Sequence, residues 1–186
     1  KDQVAFFSQK PKDAKKIKDV IEYCNSRRLF TAINRCKHFY YSLTDKQHAN
    51  RLILPFYNSS NQIECYQTRA LSANQFPKYL TKIGEKCLFG ENNISEDVPY
   101  IFVFEGPIDS MFVRNGVAMA GTDITERQQH YLEQCVGYEQ IFIFDNDKNN
   151  KSLQRKIKHK LKNGVKVFIW PEKFNKFKDV NEVCCK

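Results

Sequence analysis

The second half of the chain alternates short, wholly apolar runs with amphipathic stretches. Tyr100–Phe104 and 141–144 are continuous apolar runs, as expected for strands that are covered on both faces. The segments 116–120 and 165–170 are predicted as two further strands. Strands that alternate with helices predict βαβ units and a parallel sheet.

Three helices are predicted between these strands. The first opens at Gly106-Pro107, with proline in its first turn, and runs to about Asn115. The second spans about 126–135 and is capped by Thr125. The third runs from Asn149 or Asn150 to Lys162, where the Asn163-Gly164 pair ends it.

The first half of the chain has a less regular pattern. Residues 12–25 carry apolar side chains at helical spacing, which predicts a helix. Residues 51–57 and 62–70 are predicted as two strands of a hairpin, because the NSSN segment between them is rich in turn-forming residues. Residues 74–90 are expected to be irregular, since proline and glycine interrupt them.

The polar segment 91–97 is predicted to be a connecting loop, and it suggests a boundary between two parts of the chain. Residues 1–98 are then a smaller basic α+β subdomain, and residues 99–186 are an α/β domain with a four-stranded, mainly parallel sheet flanked by helices. A chain of 186 residues is long enough for one domain or two small ones.

Composition narrows the function classes. The formal net charge of +9 and the pI near 9.2 are common in proteins that bind polyanions. No apolar run is long enough to cross a membrane, and the N-terminus lacks the features of a signal peptide, so we expect a cytoplasmic protein. The seven cysteines include no CxxC pair, which argues against a zinc site and favours free thiols in a reducing compartment.

Acidic residues follow three of the predicted strands. They are Glu105 and Asp109 after the first, Asp145 and Asp147 after the third, and Asp179 in the loop after the last. In an open parallel sheet, functional groups gather beyond the C-terminal ends of the strands. Clustered carboxylates repel one another, and Mg²⁺ or Mn²⁺ relieves that repulsion with oxygen ligands. Acids at strand ends are also common as solvated loop residues or helix caps, and the residues alone leave both interpretations open.

Several short motifs occur in an order that resembles one family. Glu105-Gly106 and the Asp-Asn-Asp run at 145–147 resemble the Glu-Gly and Asp-x-Asp signature of Toprim domains. The segments EGPIDSMF, AMAGTDITERQQHYL and KDVNE resemble the corresponding elements of DnaG-type primases. The earlier segments RLILPFY, PKYL and CLFG resemble the primase subdomain that precedes Toprim. Asn181 departs from the pattern, since primases usually carry a second aspartate there.

The resemblance implies a primase core that makes short RNA primers on a single-stranded DNA template from ribonucleoside triphosphates. It implies Glu105, Asp145 and Asp147 as the main catalytic ligands of Mg²⁺ or Mn²⁺, with Asp109 and Asp179 as outer or second-metal ligands. The same resemblance assigns one set of basic residues to template or nucleotide phosphates, and these are Arg51, Arg69, Lys78 and Lys86. It also implies a replicative helicase as partner, through regions outside this sequence, in a bacterial cell or a phage-infected host.

Two other function classes remain open from the sequence. The chain is alternatively another Toprim enzyme, either a nuclease or a topoisomerase fragment, or a DNA-binding module without catalysis. The intact acids at 105, 145 and 147 argue against the non-catalytic class. No tyrosine stands in a context that suggests the nucleophile of a topoisomerase.

Overall fold

An antiparallel sheet organises the first half of the chain. The computed structural model describes residues 5–7, 17–42, 45–81 and 86–186. The sheet has five strands in chain order, and they are β1 (Ala5–Phe7), β2 (Phe39–Tyr41), β3 (Arg51–Tyr57), β4 (Ile63–Ala70) and β5 (Tyr79–Thr81). The predicted hairpin is confirmed as β3 and β4. The strands β1, β2 and β5 were not predicted, because a strand of three residues is too short to show an alternating pattern.

One helix packs against this sheet. Helix α1 (Lys18–Ser26) buries Val20 and Cys24, which lie four residues apart on one helical face. The predicted helix began at residue 12, but residues 12–16 lie outside the part of the chain that the structure describes. A short 3₁₀ helix, Leu29–Thr31, follows α1.

The second half is a parallel sheet covered on both faces. Its strands are β6 (Tyr100–Phe104), β7 (Gly116–Ala118), β8 (Glu139–Ile143) and β9 (Lys166–Val167), in the order β7-β6-β8-β9. The helices are α2 (Pro107–Ser110), α3 (Glu126–Gln134), α4 (Lys151–Lys162) and α5 (Val180–Cys185). Short 3₁₀ helices lie at Glu91–Asn93 and Glu172–Phe174. The predicted fold class, a four-stranded parallel sheet with flanking helices after an α+β subdomain, is confirmed.

Three predicted elements are shorter than expected, and one of them is β7, which has three residues rather than five. Helix α2 ends at Ser110 rather than near 115, because the chain must turn back there and Asn115 takes a left-handed φ of 53° just before β7. Strand β9 has two residues rather than the predicted six. After β9 the chain leaves the sheet, and the indole of Trp170 donates a hydrogen bond to the carbonyl of Phe144 instead.

The two faces of the parallel sheet pack against different partners. Ile101 and Val103 of β6 point to the side covered by Leu132 of α3 and Leu153 of α4. The alternate residue Phe104 belongs to a larger cluster on the opposite side. That cluster includes four side chains from β3, which are Leu52, Leu54, Phe56 and Tyr57. The antiparallel sheet therefore shares its hydrophobic core with one face of the parallel sheet.

Polar contacts also join the two halves. The buried amide of Asn34 donates to the carbonyl of Gly116 at 2.6 Å, and the buried amide of Gln67 donates to that of Ala120 at 3.1 Å. Phe89 makes an antiparallel bridge with Ala118 at the end of β7. These contacts place β4 and β5 beside the C-terminal ends of the parallel strands. Among the described residues, no helix is long and apolar enough to span a membrane.

Replacement of Gly116 by alanine tests the packing at the start of β7. An added Cβ would lie 2.2 Å from the carbonyl oxygen of Ser110 and 2.8 Å from that of Val113, so the backbone must shift. We expect Gly116→Ala to lower the free energy of unfolding by about 1–3 kcal/mol, as overpacked sites do. Urea unfolding followed by circular dichroism measures the change. Gly106→Ala is the control, because its added Cβ meets nothing nearer than Asp109 Oδ2 at 3.7 Å. Equal urea midpoints for the two variants would contradict the expectation.

Candidate active site

The strand order places two acids at the point where the sheet changes direction. From β6 the chain moves outward to β7 and then returns to the other side of β6 as β8. Ligands of open α/β sheets bind at such a switch point, beyond the carboxyl ends of the strands. Phe104 of β6 and Ile143 of β8 are register partners, so Glu105 and Asp145 extend from adjacent strand ends into the same space.

Two helices supply two more acids. Asp109 lies in the first turn of α2, directly after the Glu-Gly pair, and Asp179 is the N-cap of α5, where its carboxylate accepts a hydrogen bond from the backbone N–H of Glu182 at 2.7 Å. Glu105, Asp109, Asp145 and Asp179 all line one open cleft of about 560 Å³. We call these four residues the acidic wall.

Asn146 holds the loop that precedes Asp179 next to the parallel sheet. Its backbone N–H donates to the carbonyl of Lys178 at 2.6 Å, and its side-chain amide donates to the carbonyls of Phe174 and Phe177 at 3.0 Å each. The loop before α5 is thereby held against the end of β8. Asp145 and Asp179 approach each other for this reason, although 34 positions separate them in the sequence.

The electrostatics of the acidic wall reflect crowding as well as burial. Burial raises the pKa of Asp109 to about 7, and the neighbouring charges of Asp179 and Asp145 add to the increase. Burial also raises the pKa of Asp145, with further contributions from Asp179 and Glu105, while Lys178 and Lys78 oppose the shift. Like charges therefore lie close enough to disfavour one another's ionised forms.

The opposite side of the cleft is basic and aromatic. Arg69 of β4 is the register partner of Tyr79 of β5, and its guanidinium lies 4.7 Å from the centre of the Tyr79 ring. Lys78 is 5.7 Å from the same ring centre. Arg27, the C-cap of α1, also lines the cleft. We call Arg27, Arg69, Lys78 and Tyr79 the basic wall.

Crowding of positive charge affects the basic wall too. Burial lowers the pKa of Lys78, and the nearby charges of Arg69 and Lys178 lower it further. Asp145 acts in the opposite sense and favours the charged amine. The cleft thus sets a row of carboxylates against a row of cations, with space between them.

Three predicted site residues lie outside this arrangement. Asp147 does not line the cleft, and its carboxylate accepts a hydrogen bond from the backbone N–H of Asn149 at 3.2 Å. Arg51 is only 2% exposed and donates to the carbonyl of Pro77 at 2.6 Å, so its buried position does not support a phosphate contact. Lys86 donates to the carbonyl of Ala120 at 2.8 Å, at the edge of the cleft rather than in its lining.

Sequence reasoning missed several residues that line the cleft. Tyr23 of α1 and Arg27, the C-cap of that helix, lie four positions apart and therefore on one side of it, and this spacing was visible in the sequence. Lys178 precedes Asp179 in the KDVNE element and could also have been noticed. No sequence pattern indicated that α1 would lie next to the acids of the parallel sheet. That position depends on the hydrophobic core that the two halves of the chain share.

Asn181 connects the two walls of the cleft. It is 1% exposed, its amide oxygen accepts from the Arg27 guanidinium, and its amide nitrogen donates to the Arg27 carbonyl, both at 2.9 Å. Its backbone N–H donates to Asp109 Oδ1 at 2.9 Å. An amide serves here because both a donor and an acceptor are needed, which an ionised aspartate cannot provide.

The donor set of the acidic wall fits a hard divalent cation. Carboxylate oxygens are the ligands that Mg²⁺ and Mn²⁺ prefer, and a cation would relieve the repulsion that adds to burial in raising the pKa of Asp109 and Asp145. Within the ranges that the structure describes, no three Asp, Glu, His or Cys side chains converge closely enough to form a ready-made metal site. The acids share the cleft, and side-chain rotation is needed for them to share an ion.

A comparison with protein-family models gives one match, to the Toprim-like family, over residues 102–184. The match contains all four strand ends and the complete acidic wall. The fold of residues 102–184 is similar to that of Toprim domains. The predicted start of the domain at residue 99 stays a prediction.

Known relatives extend the likeness beyond the Toprim-like domain. The DNA primase of Enterobacteria phage T4 is 27% identical over 139 residues, which are 73% of this chain and 39% of that protein. The RNA polymerase domain of Mycobacterium tuberculosis primase DnaG superposes with a TM-score of 0.58 at 22% identity, over 76% of this chain and 52% of that one. A DnaG primase catalytic domain bound to ssDNA superposes with a TM-score of 0.53 at 17% identity, over 96% of this chain and 59% of that one.

These relatives confirm the resemblance to DnaG-type primases, and the fold on both sides of the cleft is that of their catalytic cores. The chain spans about two fifths of the length of the T4 primase and between half and three fifths of the two solved structures. The Toprim-like domain is thus preceded here by the same kind of antiparallel subdomain that these cores contain.

Replacement of Asn181 by aspartate tests the connection between the walls. The variant leaves the Arg27 carbonyl without its donor and adds a negative charge beside Asp109, so we expect a decrease of about 1–3 kcal/mol in the free energy of unfolding. Urea unfolding at neutral pH measures the decrease. Asn175→Asp is the matched control, because Asn175 is exposed and its side chain only accepts a hydrogen bond from Lys148. An Asn181→Asp protein as stable as the control would rule out this role for the amide.

Proposed function

We propose that this chain is the catalytic core of a DNA primase, which joins ribonucleotides into short primers on a single-stranded DNA template. The observation that carries the proposal is the acidic wall at the switch point of the parallel sheet, facing the basic wall across an open cleft. A polymerase of this kind needs carboxylates for metal ions on one side and cations for phosphates on the other. The likeness to the T4 primase and to DnaG cores supports the same activity.

Glu105, Asp109, Asp145 and Asp179 are the proposed ligands of Mg²⁺ or Mn²⁺. Bound at these carboxylates, the metal supplies charge neutralisation at the reacting phosphate and lowers the pKa of the attacking 3′-hydroxyl. Asp147 is retained as a ligand on the resemblance to the Asp-x-Asp signature, and it would have to leave its hydrogen bond with Asn149 to take part. Most of the catalysis would then come from positioning and electrostatic stabilisation.

The basic wall is proposed to hold phosphates of the template or of the incoming nucleotide. Arg69 and Lys78 point into the cleft beside the Tyr79 ring, which offers an apolar face on which a base can stack. A guanidinium suits bidentate contacts to a phosphate, and the Lys78 amine acts as a point charge. One solved relative of the same fold carries ssDNA, in keeping with this assignment.

The proposed activity implies a cellular compartment and a protein partner. A primase acts at the replication fork, so the setting is the cytoplasm of a bacterial cell or of a phage-infected host. A replicative helicase is the proposed partner, through regions outside this sequence. Metal-dependent nicking of plasmid DNA without primer synthesis would favour a Toprim nuclease or topoisomerase instead. Tight DNA binding without affinity for Mg²⁺ or Mn²⁺ would favour a non-catalytic module.

Asp145→Asn tests the acidic wall. The change keeps the size of the side chain and removes one proposed ligand charge, so we expect primer synthesis on single-stranded DNA to fall at least about 100-fold, as it does when an electrostatic stabiliser is removed. Affinity for the DNA should stay within about twofold of the unaltered protein, because the basic wall is unchanged and its phosphate contacts dominate binding. The assay uses ribonucleoside triphosphates with Mg²⁺ or Mn²⁺.

Asp123→Asn serves as the control for Asp145→Asn, since Asp123 is exposed and does not line the cleft. It should retain full synthesis. Primer synthesis by the Asp145→Asn protein at the level of this control would reject the assignment of the acidic wall.

Substitution of the basic wall tests the phosphate contacts. We expect the Arg69→Gln and Lys78→Gln variants each to weaken binding of single-stranded DNA and to reduce the slope of log K against log salt concentration by roughly 0.7 for each phosphate that is no longer neutralised. Fluorescence anisotropy across a salt series measures both quantities. Lys158→Gln, on the exposed face of α4, removes the same charge and should leave the slope unchanged. A slope shared by all three variants would show that the effect is one of net charge.

A further inference from the structure

A lysine side chain already holds one oxygen of the acidic wall. The Nζ atom of Lys156 donates to Glu105 Oε1 at 2.7 Å, and it also contacts the carbonyl oxygen of Thr122. Glu105 and Thr122 both line the cleft. The side chains of Lys156 and Glu105 are only 22% and 32% exposed, so water screens this ion pair less than a surface pair.

The position of the amine follows from the register of α4. Leu153 is buried against the face of the parallel sheet that also packs on Leu132, and Lys156 lies three residues later on the same side of α4. The Lys156 amine is 5.3 Å from the centre of the Phe144 ring, at the end of β8. Carboxylate, carbonyl and aromatic ring are all groups that attract a cation, and together they surround the amine.

The pairing is unequal within the acidic wall. In the described part of the chain, Glu105 is the only member of the four that forms an ion pair with a basic side chain, while Asp109, Asp145 and Asp179 form none. A basic side chain thus neutralises the charge of Glu105, whereas the charges of Asp109, Asp145 and Asp179 have no such partner among the described residues. The amine lies at the carboxylate that follows the first strand of the parallel sheet.

We propose that Lys156 is a displaceable counter-ion of Glu105, which occupies that carboxylate until a divalent cation takes its place. The inference rests on the proposed function, because it assumes that Glu105 is a metal ligand. A lysine suits exchange, since its charge is carried on a flexible stem and makes no fixed bidentate contact. A divalent ion that reaches several carboxylates at once competes well against an ammonium that reaches one.

The consequence is a lowered metal affinity in the unaltered protein. Binding of the ion must break the contact between the Lys156 amine and Glu105. The free energy lost with that contact makes the binding free energy of the ion at the acidic wall less favourable. Lys156 is therefore a positioning residue that acts through Glu105. If the pair only held α4 to the loop at Thr122, its removal would lower stability and leave metal affinity unchanged.

The first test compares Mn²⁺ binding by the unaltered chain, Lys156→Met and Lys158→Met, with free Mn²⁺ followed by electron paramagnetic resonance. Lys156→Met should bind Mn²⁺ about fivefold more tightly, which corresponds to about 1 kcal/mol. Lys158→Met removes an exposed charge from the same helix, so it reports the effect of net charge alone. It should bind Mn²⁺ like the unaltered chain.

The second test uses the unaltered chain and so does not depend on the folding of a variant. Acetic anhydride labels accessible lysine amines, and mass spectrometry reads each site. We expect labelling of Lys156 to rise severalfold on addition of Mn²⁺, because the amine leaves Glu105, while labelling of Lys158 stays constant.

The outcomes separate the two proposals. Equal Mn²⁺ affinity in Lys156→Met and Lys158→Met, or labelling of Lys156 that Mn²⁺ does not change, overturns the role of Lys156 and leaves the metal site standing. If the unaltered chain binds no more Mn²⁺ than Asp145→Asn does, the metal site of the proposed function is itself overturned.

Discussion

Repulsion between carboxylates at the switch point of the parallel sheet is the constraint around which the rest of the site is arranged. Burial and mutual repulsion raise the pKa of both Asp109 and Asp145. A fold tolerates such crowding only when other contacts hold the acids in place. Asn146 holds the loop before α5 at the end of β8. Asn181 of α5 donates a hydrogen bond to Asp109, while its side chain pairs with Arg27 of the first subdomain.

The shared hydrophobic core explains why the cleft has two chemically different walls. Leu52, Leu54 and Phe56 of the antiparallel sheet pack in the same cluster as Phe104 and Ile143 of the parallel sheet. One face of the β4–β5 pair is thereby brought to the ends of the parallel strands. Negative charge for metal ions and positive charge for phosphates come from different halves of the chain and meet only because these halves pack as one body.

Strand-end acids were the part of the site that sequence could locate. A continuous apolar run identifies a buried strand, and the residue after it must lie at the carboxyl edge of the sheet, where Glu105 and Asp145 line the cleft. Asp147 was expected beside them, but it is not among the residues that line the cleft. Strand β8 ends at Ile143, two residues before Asp145, so the alternation of side chains within a strand no longer decides where Asp147 points.

Basic residues were harder to assign, because their role depends on burial rather than on type. Arg69 and Lys78 do line the cleft, but Arg51, on the neighbouring strand, is buried and bonded to the Pro77 carbonyl. A charged side chain in a strand gives no local indication of which face of the sheet will be covered. Strand β5, which carries Tyr79, escaped prediction for a related reason: its three residues gain their structure only by pairing with β4.

Sequence alone determined the alternation of strands and helices in the second half, the capped starts of α3 and α4, and the acids at the strand ends, because these depend on periodicity and on neighbours close in the chain. Tertiary structure decided which of those acids share a cleft, which cations face them, and that Lys156 pairs with Glu105. Those outcomes depend on contacts between residues tens of positions apart, whose geometry is set by the packing of one sheet against the other.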